Sequence, residues 1–149
     1  MIAQKNNRKM KIIVGTTLIV VALCCIGYFL YPMISQYMEK NQIIEVANAS
    51  EATPENRIDF NALLAINPQT VGWVQIDGTP LEYPVVQTDN NDYYLHNSFN
   101  NEASIEGTIF LDYLCNTERT RNNVLYGHYM RDESMFGSLW HYQQQSYFT

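Results

Sequence analysis

Twenty consecutive residues without a charge, 12–31 (IIVGTTLIVVALCCIGYFLY), decide what the rest of this chain can be. At about 1.5 Å per residue a helix of that length spans roughly 30 Å, the hydrocarbon thickness of a bilayer. Its polar breaks are confined to Gly15, Thr16, Thr17 and Gly27. Lys5, Arg8, Lys9 and Lys11 precede it and no acid does. That asymmetry predicts a cytoplasmic N-terminus and places everything after Tyr31 outside the cell, in a single-pass topology. A cleaved signal peptide has a shorter apolar region, about 7–15 residues, followed closely by a small-x-small site. Here the only Ala-x-Ala, Ala47-Asn48-Ala49, lies 16 residues beyond the run, so an uncleaved anchor is expected.

The charge changes sign past the anchor. From residue 41 onward four basic residues (Arg57, Arg119, Arg121, Arg131) stand against fourteen acids. No basic stripe remains to grip phosphates, which excludes nucleic acid as a partner. Cys24 and Cys25 fall inside the apolar run, leaving Cys115 alone outside. A single cysteine cannot staple an extracellular domain, so the fold depends on its core. With no Cys-x-x-Cys and no His-x-His spacing, neither a metal site nor a cofactor is expected.

Four parts follow: a basic tail (1–11), the anchor (12–31), a helical stalk and linker (32–56), and a domain from residue 57 onward. Apolar residues recur at helical spacing over 32–49, and the polar stretch 50–56 (SEATPEN) reads as the linker. A short helix is expected over 58–66, with Ile58, Leu63 and Ile66 toward the core. Asn67-Pro68 stops it, because a residue before proline is pushed out of the α region. The period then shifts to two. Strands are expected at 71–76, 81–86, 107–114 and 123–126, with Pro84 marking an edge or a bulge. A helical turn over 89–96 and a helix over 135–142 complete the elements. The expected fold is mainly β: an antiparallel sheet or barrel with short helices behind a transmembrane helix. Four short strands leave an open edge and part of a core, and an apolar run begins at Ser146, so the domain reads as truncated.

His128 is the residue with the clearest chemical meaning. It follows a strand end in NNVLYGHYMRDESMFGSLW (122–140), where folds place chemistry, and histidine titrates near neutrality.

Residues 67–149 resemble the class B sortases, membrane-anchored cysteine transpeptidases of Gram-positive cell surfaces. The resemblance is carried by VGWVQIDGTPLEYPVVQ, DNNDYYLHNSFN, GTIFLDY and NNVLYGHYMRDESMFGSLWHY, in that order. Tyr-Gly-His followed by Ser-Met-Phe-Gly points to class B. The resemblance implies a Cys-His-Arg site on a sortase-type β-barrel, incomplete in this chain. A thiolate would attack the Thr carbonyl of a sorting motif similar to Asn-Pro-Gln-Thr-Asn. The amine of a cell-wall peptide, on a lipid-linked precursor, would then resolve the acyl-enzyme. The histidine is needed to protonate the leaving amine, and the arginine to hold substrate and stabilise the oxyanion.

By the same resemblance His128 is the catalytic histidine. Tyr126, Leu95 and Asn91 match positions that line the substrate groove, although Tyr126 and Leu95 suit core packing equally. Asp112 either orients the histidine or is a solvated strand residue. Cys115 precedes His128, where the family does not place its nucleophile, and Arg119, Arg121 and Arg131 lie in loops. The family's cysteine and arginine lie downstream of this histidine, so the chain as given is expected to be inactive. A non-catalytic, membrane-tethered peptide-binding module and a degenerate fragment are the alternatives. Two positions depart from the family pattern: Tyr129 where asparagine is common, and Glu133 where glycine is common. Residues 67–70 spell NPQT, the core of the signal this family cuts. Followed by a strand rather than an apolar tail, they read as a helix stop.

Overall fold

The computed structural model describes residues 2–48, 58–116 and 121–147. The expected linker at 50–56, Arg119 and the end of the chain lie outside these residues. Two compact units divide the chain, Met1–Glu39 and Lys40–Thr149.

Helix α1 (Ile2–Asn48) is continuous through the anchor and stalk segments. Pro32 lies within it. Its ring removes one N–H from the helical ladder, yet apolar helix-compatible residues on both sides carry the helix through. Among the described side chains of the first unit the large apolar ones are exposed, Tyr28 at 78% and Phe29 at 75%. By length and composition the helix is able to cross a membrane. Exposed apolar side chains on such a helix are what a lipid solvent requires.

In the second unit, α2 (Phe60–Ile66) starts where the Asp59 carboxylate accepts the Ala62 N–H at 3.0 Å, satisfying an orphan donor of the first turn. It ends at Asn67, whose φ of −134° and ψ of 106° are extended, as the following proline demands. Leu63 is fully buried, whereas Ile66 is exposed.

Four strands follow: β1 (Thr70–Gln75), β2 (Glu82–Val86), β3 (Phe110–Leu111) and β4 (Leu125–Tyr126). They form one sheet in the order β1-β2-β3-β4. The β1–β2 and β3–β4 pairs are antiparallel, but β2 and β3 run parallel through Val86 and Phe110. The sheet among the described residues is therefore open and mixed, not an antiparallel sheet or a closed barrel. Helix also exceeds strand, since α1 alone holds 47 residues and no strand exceeds six, so the expectation of a mainly β chain is corrected. The expected eight-residue strand at 107–114 shrinks to two. Its first part leaves the ladder to pass the turn at Tyr93–Leu95, where Thr108 N–H donates to the Tyr94 carbonyl at 2.9 Å. The irregularity that Pro84 suggested lies in the opposing strand, between Thr70 and Gly72.

Strand alternation distributes the core onto both faces of the sheet. Val86 and Phe110 join Ile43 and Ala47 of α1 with Leu63, Tyr94 and Phe99 on one side. Tyr83, Val85, Ile109 and Leu111 join Leu81 and Met135 on the other. Burial on two faces explains why β2 and the approach to β3 are almost uniformly apolar rather than alternating. 3-10 turns at Tyr93–Leu95 and Gly137–Gln143 stand where helical segments were expected, and a further one at Gln145–Tyr147 was not expected.

Candidate active site

His128 sits just past β4, where the chain leaves the sheet. Tyr126 is two residues earlier, and this spacing puts both side chains on one side of an extended backbone. The Tyr126 ring packs on Phe110 with centroids 5.4 Å apart. Gly127 separates them for a steric reason: a Cβ there would come within 3.1 Å of Ile109 and Phe136.

The half-buried His128 ring is fixed by a backbone oxygen. Its Nε2 lies 2.8 Å from the Leu95 carbonyl. A carbonyl can only accept, so Nε2 carries the proton, and in the neutral ring Nδ1 holds the lone pair. Nδ1 makes no hydrogen bond to the described residues. Such an imidazole has one nitrogen spent on orientation and the other available for proton transfer.

Leu95 is held by its own turn. Asn90 Oδ1 accepts the backbone N–H groups of Asp92 and Tyr93. The next side chain, Tyr94, is buried and pinned: Asn67 Nδ2 donates to its Oη at 2.8 Å, and the Tyr94 hydroxyl donates to Gln69 Oε1 at 2.6 Å. Burial raises the Tyr94 phenol pKa above its ordinary value, with the Asn67 bond opposing. Asn67 also donates to the Phe99 carbonyl at 2.8 Å and accepts the Gln69 N–H at 2.9 Å. The NPQT stretch therefore forms a helix stop whose asparagine is a fully buried structural joint. Neither Asn67 nor Gln69 was identified from sequence, where an Asn-Pro step signals only a turn.

Asn91, Asp112 and Tyr126 form a second cluster. Asp112 Oδ2 accepts from Asn91 Nδ2 at 2.9 Å and from the Tyr126 hydroxyl at 3.2 Å. Oδ1 accepts the Leu114 N–H at 2.8 Å. The Leu114 N–H, then the Asn91 amide and the Tyr126 hydroxyl, hold the Asp112 carboxyl below its usual pKa. The same contact raises the Tyr126 phenol, because an anion beside it disfavours phenolate. Asp112 thus binds the two groove candidates and makes no bond to His128, whose orientation comes from Leu95. Leu95 itself is partly buried and packs against the core beside Tyr94.

Cys115 lies in the turn after β3. Its thiol is near the Asn122 carbonyl at 3.8 Å, and its own carbonyl accepts from Gln87 Nε2 at 2.8 Å. The side chain packs against the second core cluster, as a small apolar residue would. Arg121 and Arg131 are exposed. No group of His, Cys, Asp and Glu suited to a metal ion occurs among the described residues. Glu133 has φ of +70°, the left-handed conformation that glycine adopts without a Cβ penalty.

No family model matches the chain. Sortase B of Listeria monocytogenes is 37% identical over 102 residues, covering 68% of this chain. The chain spans 42% of that relative's length. The crystal structure of sortase B from B. anthracis superposes with a TM-score of 0.66 at 37% identity, over 78% of this chain and 58% of that one. A Staphylococcus aureus sortase B–substrate complex superposes with a TM-score of 0.59 at 33% identity, over 76% and 51%. Over the length it shares with these proteins, the chain belongs to the class B sortase family.

Proposed function

We propose that this chain is the histidine-bearing part of a class B sortase-type cysteine transpeptidase, a cell-surface enzyme tethered by α1 with its N-terminus in the cytoplasm. The substrate would be a surface protein with an Asn-Pro-Gln-Thr-Asn-like sorting signal, and the acceptor a cell-wall peptide amine on a lipid-linked precursor. The observation that carries the reading is the Nε2 contact of His128 with the Leu95 carbonyl, which leaves Nδ1 for proton transfer. Nδ1 would take the proton of an attacking thiol, and the resulting imidazolium would return it to the amine that leaves the Thr carbonyl. Asn91, Leu95 and Tyr126 would contact the peptide beside the ring. The sortase B–substrate complex among the structural relatives supports a site that binds substrate.

Among the described residues Cys115 packs against the core from a half-exposed position and lies against Asn122, so it is not proposed as the thiol partner of His128. The chain alone is therefore expected to bind the peptide without joining it to an amine. That placement of Cys115 also fits a second reading, a membrane-tethered peptide-binding module.

Titrating the isotope-labelled full chain, in lipid nanodiscs, with an Asn-Pro-Gln-Thr-Asn peptide tests the reading. Shifts at Leu95, Tyr126 and His128, reduced by Tyr126→Ala, are expected. Their absence removes the groove. A sorting-motif vinyl sulfone should leave Cys115 unmodified; labelling that depends on His128 would overturn the account of the nucleophile.

A further inference from the structure

The loop after His128 has a backbone that its own residues disfavour. Glu133 and Met135 both have positive φ, +70° and +50°, though neither is glycine. Non-glycine residues persist there only when their surroundings hold them. Three contacts do so. The Phe136 N–H donates to the His128 carbonyl at 3.0 Å. Gly137 lies so close beneath Met130 that a Cβ would come within 2.1 Å of its carbonyl oxygen. The Met135 N–H donates to the Tyr83 hydroxyl oxygen at 3.1 Å, in a buried setting.

That phenol oxygen has a second donor. Lys40, on α1 within the same compact unit, places Nζ 2.9 Å from Tyr83 Oη and 2.8 Å from the Pro80 carbonyl. The ammonium also lies 4.1 Å from the Tyr83 ring centroid. A phenol oxygen offers two lone pairs, and here an ammonium and a backbone amide occupy them. Two donors on one oxygen do not strengthen each other. Lys40 instead fixes where the oxygen sits, tying it to a backbone carbonyl in the β1–β2 turn. The charge reaches the loop as well: Asp132, held below its usual pKa chiefly by the Ser134 hydroxyl, also feels Lys40.

We propose that Lys40 is a positioning residue for the histidine loop: through the Tyr83 oxygen it sets the Met135 backbone, and through the adjoining Phe136 amide the seat of His128. Its meaning for catalysis rests on the reading of His128 as the acid/base; the structural link does not. A lysine that merely covered the Tyr83 ring with its aliphatic stem would be replaced by methionine without consequence for the loop.

The test uses the full chain in lipid nanodiscs with Lys40→Met, Lys40→Arg and Tyr83→Phe. Deuterium exchange is read at Met135, and ring signals at His128, with His96 as reference. Lys40→Met should speed Met135 exchange about three- to tenfold, the range expected for one hydrogen bond's worth of support. It should also move the His128 signals and leave His96 in place. Lys40→Arg should restore most of the protection, and Tyr83→Phe should lose at least as much as Lys40→Met. Unchanged exchange and His128 signals in Lys40→Met overturn the proposal. So does an equal loss of protection at Val86 and Phe110, which would make Lys40 a general stabiliser. If Lys40→Met behaves as expected while a sorting-motif peptide leaves His128 unmoved, the positioning stands and the transpeptidase reading falls.

Discussion

Asp112 divides its two oxygens among three donors, and this division separates its pH behaviour from that of an ordinary surface carboxylate. The Leu114 N–H and the Asn91 and Tyr126 side chains all favour the anion, so the folded pKa lies below the unfolded value of about 3.9. The stabilisation it gives is complete above that unfolded value and is lost as pH falls through the lowered folded pKa. Tyr126 has the opposite sign. Its phenol pKa is raised, by its hydrogen bond to Asp112 and by that charge. Its contribution is present below the unfolded value of about 10 and is lost as pH rises through the folded one. Asp112→Asn should bring the Tyr126 titration down toward its ordinary value, read from phenolate absorbance in a background where the other tyrosines serve as reference. Asn91→Ala should raise the Asp112 titration, read from its carboxyl carbon. A Tyr126 titration indifferent to Asp112→Asn would show that their 3.2 Å contact does not form in solution.

At the scale of elements, the turn at Tyr93–Leu95 is the critical part, because its last carbonyl orients the histidine. Gly107 makes that turn possible. With φ of +62° it passes so close that a Cβ would fall 2.3 Å from the Tyr94 oxygen and 2.9 Å from the Leu95 oxygen. Gly107→Ala therefore combines left-handed backbone strain with a collision, for an expected loss of about 2–4 kcal/mol in denaturant unfolding. Gly78→Ala isolates the first effect, since Gly78 has φ of +78° and open space around it. It should cost only about 1–2 kcal/mol. Equal losses at the two sites would refute the close approach. The sequence contained this element only in part. Asn, Asp and aromatic residues over 89–96 signalled a helical turn, and alternation identified β1 and β2 to within a residue. The parallel β2–β3 contact was hidden because a single residue pair makes it, and no local pattern encodes one bridge between distant segments. Asp112 could by sequence orient His128 or be a solvated strand residue, and its carboxylate bonds Asn91 and Tyr126 instead. The true acceptor is a backbone oxygen, which every residue carries and no sequence marks. Lys40 and Asn67 stayed hidden likewise: their partners lie 43 and 27 residues away.

For the whole molecule the decisive variable is the side of the membrane on which His128 resides. The proposed chemistry on surface proteins would require the second unit outside the cell, and the basic residues before the apolar helix would supply the orienting force. The cysteines report this directly. Cys24 and Cys25 are exposed on an apolar helix that lipid would cover, while Cys115 is half-exposed in the second unit. A membrane-impermeant maleimide applied to intact cells making the full chain should label Cys115 and spare the other two, and Cys115→Ser should abolish the signal. Neutralising Lys5, Arg8, Lys9 and Lys11 together should lower Cys115 labelling, because the charge difference across the helix then disappears while its apolar length is untouched. Efficient Cys115 labelling only after cell lysis would place His128 in the cytoplasm, where no cell-wall amine could reach it, and an extracellular transpeptidase role would be untenable however well the ring is oriented.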